Sequence, residues 1–285
     1  MTMLEQLYPI KIVEKKPYYA FLLGIAYTII GIGIAVLLFP EDPAIVAVAL
    51  ISLMFYPTLK KLLALEEKEE AKNTRFNLID FFKDHQYIFK VYILFFLGSM
   101  LGFAFFTISL PSLAANHIFN NQVDILYRIT GAATFNVARF GEIFANNIIV
   151  LILVFVTAFL IGDGAIFLLT WNASVWGTIF GLFAKNYALS ASKNPFYVFL
   201  IVLTIVITHT LLEAFAYISA ASAGGVISKG MIKEKLASKK FNRVVKGTLI
   251  TLLFAIIVLI IAVAVENYVL GNIRIYQEIV RYSFI

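Results

Sequence analysis

The 285-residue chain has no cysteine, and only 14% of its residues are charged. The first absence removes disulfides, thiolate metal ligands and cysteine nucleophiles. The second removes a soluble globular domain of this size, which would carry about 25% charged residues to cover its surface. Glycine-rich phosphate loops, His-Glu-x-x-His zinc motifs and Gly-x-Ser-x-Gly nucleophile elbows are missing too. The longest polar connections, around residues 60–86 and 112–141, are shorter than the ~40 residues at which independent domains begin. What the chain has in excess is apolar: 61% hydrophobic residues and a mean hydropathy of +0.90. A backbone in lipid must satisfy its own polar groups, and long apolar runs do so as helices. The expected fold is therefore an all-α, polytopic transmembrane bundle.

A crossing helix needs about 20 apolar residues for the ~30 Å hydrocarbon core. Seven runs qualify: Tyr18 to Phe39, Ala44 to about Leu63, Tyr87 to Leu113, Glu142 to Gly162, Ala165 to Ala184, Phe196 to about Gly225, and Val244 to Tyr268. Pro40-Glu41-Asp42-Pro43 breaks the first from the second, and Asn194-Pro195 starts the sixth. The whole chain reads as a single membrane domain over 1–285. Within it, 1–113 holds the N-terminal spans and a basic loop, and 244–285 holds the last span and a terminal helix. Met1 to Lys16 mixes charged and apolar residues, with no cleavage site after a short apolar run, so no cleaved signal peptide is expected.

Lysine and arginine placement sets the expected orientation. Lys60, Lys61, Lys68, Lys72, Arg75 and Lys83 follow the second span, and Lys229, Lys233, Lys235, Lys239, Lys240, Arg243 and Lys246 precede the seventh. The turn at Pro40–Pro43 has no positive residue, and Ser112 to Gly141 holds only Arg128 and Arg139. The basic loops then face the cytoplasm of a cell-membrane protein, with the N-terminus inside and the C-terminus outside. Anionic lipid is their nearest partner, at about 1 kcal/mol per basic side chain near the surface; nucleic acid is not expected. The fourth and fifth runs are separated only by Asp163-Gly164. They fit either two full spans or a re-entrant hairpin with Asp163 in the bilayer, and hydration of Asp163 favours full spans.

Three segments have interfacial character. Val269, Ile273, Tyr276, Val280 and Phe284 make one apolar face at the C-terminus, with Asn272, Arg274, Gln277, Glu278 and Arg281 opposite. Phe76, Ile79 and Phe82 suggest a cytoplasmic counterpart, and Ile118 to Ile129 a third on the outer side. Each could finish the packing of a bundle end or meet a partner.

Polar groups within the spans are where function is sought, because each costs a few kcal/mol unless paired. His209 lies roughly 20 Å along the sixth span, and Glu213 follows one turn later on the same face. The pair fits a proton relay, a head-group site, or a structural lock. As a metal site it lacks a third ligand, and no metal or cofactor is expected. Asn146 and Asn147 open the fourth span and Asn172 lies within the fifth; each could cross-link helices. His209 and Glu213 are expected to line one interior site with Asn147 and Asn172. Glu142 and Glu266 are expected at the outer interface. Small residues form stripes at Ala173, Gly177 and Gly181, at Gly98 and Gly102, and at Ala216, Ala220 and Gly224. Such stripes let helix backbones touch, within one chain or across a homodimer.

Phe144-Ala145-Asn146-Asn147, then Leu169-Thr170-Trp171-Asn172-Ala173 with Gly177, then His209-Thr210-Leu211-Leu212-Glu213 and Ala220-Ala221-Ser222-Ala223-Gly224 resemble the stage II sporulation protein M family. That pattern pairs asparagines at one span, sets Asn-Gly in the next, and ends in His-Gly-x-x-Glu with a small-residue tail. Ala173 and Thr210 stand where the pattern has glycine. The resemblance covers about 140–230. It implies a non-enzymatic membrane component that recruits partner proteins, including a peptidoglycan hydrolase during engulfment in sporulating bacteria. Relatives in archaea and non-sporulating bacteria cannot share that task. Two functions therefore compete: a membrane scaffold that organises membrane or peripheral partners, and a transporter or lipid translocator built on His209 and Glu213. An intramembrane hydrolase is weaker than either, since no nucleophile accompanies the pair.

Overall fold

The computed structural model describes residues 13, 16–70, 83, 86–130, 138–162, 164–235 and 238–283. They form helices α1 (Tyr19–Leu38), α2 (Pro43–Glu70), α3 (Gln86–Ser109), α4 (Ser112–Ile118), α5 (Asn120–Thr130), α6 (Ala138–Ile161), α7 (Ala165–Ala191), α8 (Pro195–Lys233), α9 (Lys239–Asn272) and α10 (Arg274–Tyr282). Among the described residues there is no strand. Seven of the helices, α1, α2, α3, α6, α7, α8 and α9, are long and apolar enough to cross a membrane. Large apolar side chains point outward along them, as on α6 at Ile149, Ile152, Leu160 and Ile161. Water would not tolerate such a surface, and lipid does. The protein is a multi-pass membrane protein.

The helix ends follow from local chemistry. Pro43 opens α2, where its missing N–H costs nothing. Asn194 caps α8 by accepting from the Phe196 and Tyr197 amides at 2.9 and 3.2 Å, with Pro195 as the first helical residue. Ser238 caps α9 through the Phe241 amide at 3.1 Å. Between α6 and α7 the chain turns at Gly162, with φ of +66° and its amide bonded to the Ala158 carbonyl at 2.8 Å. That left-handed backbone suits glycine. The 24-residue α6 and 27-residue α7 each exceed the length of a crossing, which matches two full spans. Asp163 itself lies outside the described residues.

Several spans run further than their apolar stretches. The 39 residues of α8 reach about 58 Å and the 34 of α9 about 51 Å at 1.5 Å per residue, well past a ~30 Å core. Both therefore project beyond the bilayer at the end carrying Lys229, Lys239 and Lys240. The third helix ends at Ser109, just before Pro111, the residue at which the sequence stops the run because proline cannot continue a helix.

Glycines set the helix spacing. A Cβ at Gly98 would stand 2.1 Å from the Phe21 carbonyl oxygen, one at Gly177 2.3 Å from that of Met100, and one at Gly224 2.4 Å from that of Phe155. These contacts join α1 to α3, α3 to α7 and α6 to α8. The small-residue stripes thus lie in seams within one chain. Gly181 sits against Thr107, and Ala216 and Ala220 are fully buried. The result is two groups, α1–α2–α3 and α6–α8–α9, with α7 packed on both.

Of the two readings open for the interfacial segments, the described residues of α5 and α10 follow the first and pack on the ends of the bundle. Phe119 and Gln122 are fully buried, and Gln122 reaches from α5 to the Ser174 hydroxyl of α7 at 3.0 Å. His117 meets the Pro40 carbonyl at 2.8 Å, and Asn121 donates to Asp42 at 3.0 Å. At the C-terminus a break at Ile273 separates α9 from α10, so Val269 belongs to the span. Tyr276 and Ile279 face inward, while Glu278, assigned to the polar face, accepts from the Tyr187 hydroxyl of α7 at 3.0 Å. Asn186 donates to the Ser283 carbonyl at 3.1 Å. Phe76, Ile79, Phe82 and Phe284 lie outside the described residues.

Candidate functional site

Glu213 sits about 27 Å along α8 from Pro195, at 1.5 Å per residue, and is 1% exposed. A carboxyl group held there needs partners. Asn147 of α6 supplies one, its Nδ2 donating to Glu213 Oε1 at 3.0 Å. Glu266 of α9 stands beside it, the two carboxyl groups close enough to interact. Because α8 and α9 run antiparallel, and side chains lean toward the N-terminus of their own helix, the two glutamates reach toward one another. Glu266 is half-exposed near the end of α9, and the helix pairing adds what the sequence does not show, that it stands beside Glu213.

Charge and hydroxyl groups complete the cluster. Arg139, in the first turn of α6, interacts electrostatically with Glu266. Tyr217, one turn beyond Glu213 and 2% exposed, lies beside both carboxyl groups. Tyr276 of α10, 4% exposed, closes the cluster near Glu266 and Arg139. Burial, reinforced by the neighbouring Glu266 charge, holds the Tyr276 phenol above its ordinary range, so it stays a neutral hydroxyl. Four elements, α6, α8, α9 and α10, thus converge on one polar site.

The residues singled out by sequence divide between this site and other roles. Asn147 and Glu213 are bonded to each other, and Asn146, itself exposed, donates to the Asn147 amide oxygen at 3.3 Å. His209 is 3% exposed and packs on Trp176 of α7, with ring centroids 5.6 Å apart; among the described residues no hydrogen bond joins it to Glu213. Asn172 donates to the Leu168 carbonyl of its own helix at 2.8 Å. Thr210, in place of the family's glycine, likewise bonds within its helix, to the Val206 carbonyl at 3.0 Å. Ala173 is fully buried among Phe96, Met100 and Ala214. Among the described residues no group of three or more His, Asp or Glu could hold a metal ion.

Sequence reasoning did not place Glu266, Arg139, Tyr217 or Tyr276 in this site. It also passed over Lys185, whose Nζ donates to the carbonyls of Thr107 and Leu110 at the end of α3. The available signals were an acid near one span end and an arginine near the start of another. Only the helix pairing brings them together.

The family model for Stage II sporulation protein M matches residues 88–269. That match begins in α3 and ends in α9, so it includes Arg139, Asn147, Glu213 and Glu266. No curated protein and no solved structure matches the chain.

Proposed function

The chain belongs to the stage II sporulation protein M family, and on that premise we propose that it is a non-enzymatic membrane scaffold. The observation that carries this reading is how its intramembrane polar groups are used. Glu213 meets Asn147 and Glu266, Gln122 meets Ser174, and Lys185 meets the end of α3. A carrier would present such groups to a water-filled path. A scaffold closes them against each other and keeps a fixed shape for its partners. The reading includes a cytoplasmic N-terminus and an outer C-terminus, with the basic ends of α8 and α9 on anionic lipid. Its partners are membrane or peripheral proteins or a second copy of the chain.

Purification in mild detergent followed by native mass measurement tests this. The expected result is a homodimer or a retained protein or lipid; bare monomers in every preparation would count against a scaffold. The depth of Glu213 favours a second reading, a transporter or lipid translocator. Lipid scrambling or solute uptake in proteoliposomes that a His209→Ala, Glu213→Gln double variant abolishes would establish it over the scaffold.

A further inference from the structure

We propose that Glu213 and Glu266 hold one proton between them, carried on Glu213, and that α6, α8 and α9 thereby meet around a proton-binding site inside the membrane. Ionised carboxylates only accept hydrogen bonds, so two of them cannot be joined without a proton. Glu266 stands beside Glu213, and a buried carboxyl pair so placed is joined once one of the two carries a proton. The position of the proton follows from the partners of each oxygen. Glu213 Oε1 is taken by Asn147, whereas Oε2 is buried and lacks any partner if the group is ionised. Protonated there, Oε2 becomes the donor to Glu266, and both oxygens of Glu213 are then met. Glu266 then stays the carboxylate, with the Arg139 guanidinium beside it. One carboxylate and one guanidinium leave the cluster neutral, as a low-dielectric interior demands.

The groups facing the pair come from each packed element. Arg139 faces it from α6, Tyr217 from α8 and Tyr276 from α10; His209, on the preceding turn of α8, faces Trp176. Arg139 is the one basic group among them with a charge to offer, and it offsets one carboxylate, not two. Loss of the proton leaves like charges in contact between α8 and α9, which repel. In the unfolded chain both glutamates ionise near their ordinary range, so the folded chain holds one more proton at neutral pH. Stability should therefore fall as pH rises. This inference is independent of the scaffold reading.

Infrared spectroscopy of the full chain in nanodiscs is the test, joined to thermal unfolding across about pH 6 to 9. The expected spectrum at neutral pH has a buried protonated-carboxyl band that Glu213→Gln removes and Glu142→Gln, at an exposed position, leaves intact. The unfolding midpoint of the wild type should fall with pH, and that of Glu213→Gln, whose amide donates to Glu266 permanently, should stay flat. The wild-type spectrum decides the matter even if a variant does not fold. Absence of the band, or its survival in Glu213→Gln, overturns the proposal. So does stabilisation by sodium chloride over choline chloride, which would make the ligand a metal cation.

Discussion

Lys185 keeps a positive charge inside the bundle because the end of α3 needs a donor there. A helix leaves its last carbonyls without intrahelical partners and carries a partial negative charge at that end. The Lys185 ammonium answers both, at 9% exposure. Lys185→Met should leave those buried carbonyls bare and destabilise the fold by about 1–3 kcal/mol, read as a lower unfolding midpoint in detergent. The apolar run of the fifth span ends at Ala184, just before this lysine, and α7 continues past it to Ala191. Glu266 shows the limit of reading one helix at a time. Depth along one helix places it near an interface, and only the lean of two antiparallel helices brings it to Glu213. Asn147 was legible because an amide opening an apolar run has few uses other than bonding a neighbouring helix.

At the scale of elements, the contacts that align α1, α3 and α7 are backbone contacts. Gly98→Ala would set a Cβ 2.1 Å from the Phe21 carbonyl oxygen, and because that neighbour is backbone the helices must part. A cost of about 1–3 kcal/mol is expected, as for other overpacked cores. Gly33→Ala is the matched control, since nothing lies within 4 Å of its Cβ. It should gain stability by up to about 1 kcal/mol through helix propensity. Chemical unfolding of the two variants beside the wild type checks both signs. A wild-type midpoint for Gly98→Ala would mean that α1 is not seated on α3 as described. The small-residue spacing made such seams legible in sequence, but not which helix fills each one. The docking of α5 and α10 was legible only as one of two readings, since an amphipathic pattern suits a membrane surface and a bundle face equally.

For the molecule as a whole, the absence of cysteine makes topology directly measurable. Single substitutions Glu41→Cys and Lys240→Cys occupy exposed positions at opposite ends of the bundle, with no background thiol. An impermeant maleimide applied to intact cells should label the first and not the second, and inverted vesicles should reverse the pattern. Labelling of Lys240→Cys from outside would invert the proposed orientation, and with it the assignment of the basic helix ends to anionic lipid. Composition and apolar run length were enough to read the seven-helix membrane fold, because lipid leaves a backbone few alternatives.

The central claim is that the polar interior is closed, and Thr210→Cys tests it most directly. This side chain is 1% exposed, lies one turn before Glu213 on α8, and is close in size to cysteine. In folded protein reconstituted in liposomes, a water-soluble thiol reagent should fail to label it from either face. Denaturation should then make it fully reactive. Labelling from one face at the rate of the Glu41→Cys control would reveal a water path to the carboxyl pair and contradict the closed scaffold.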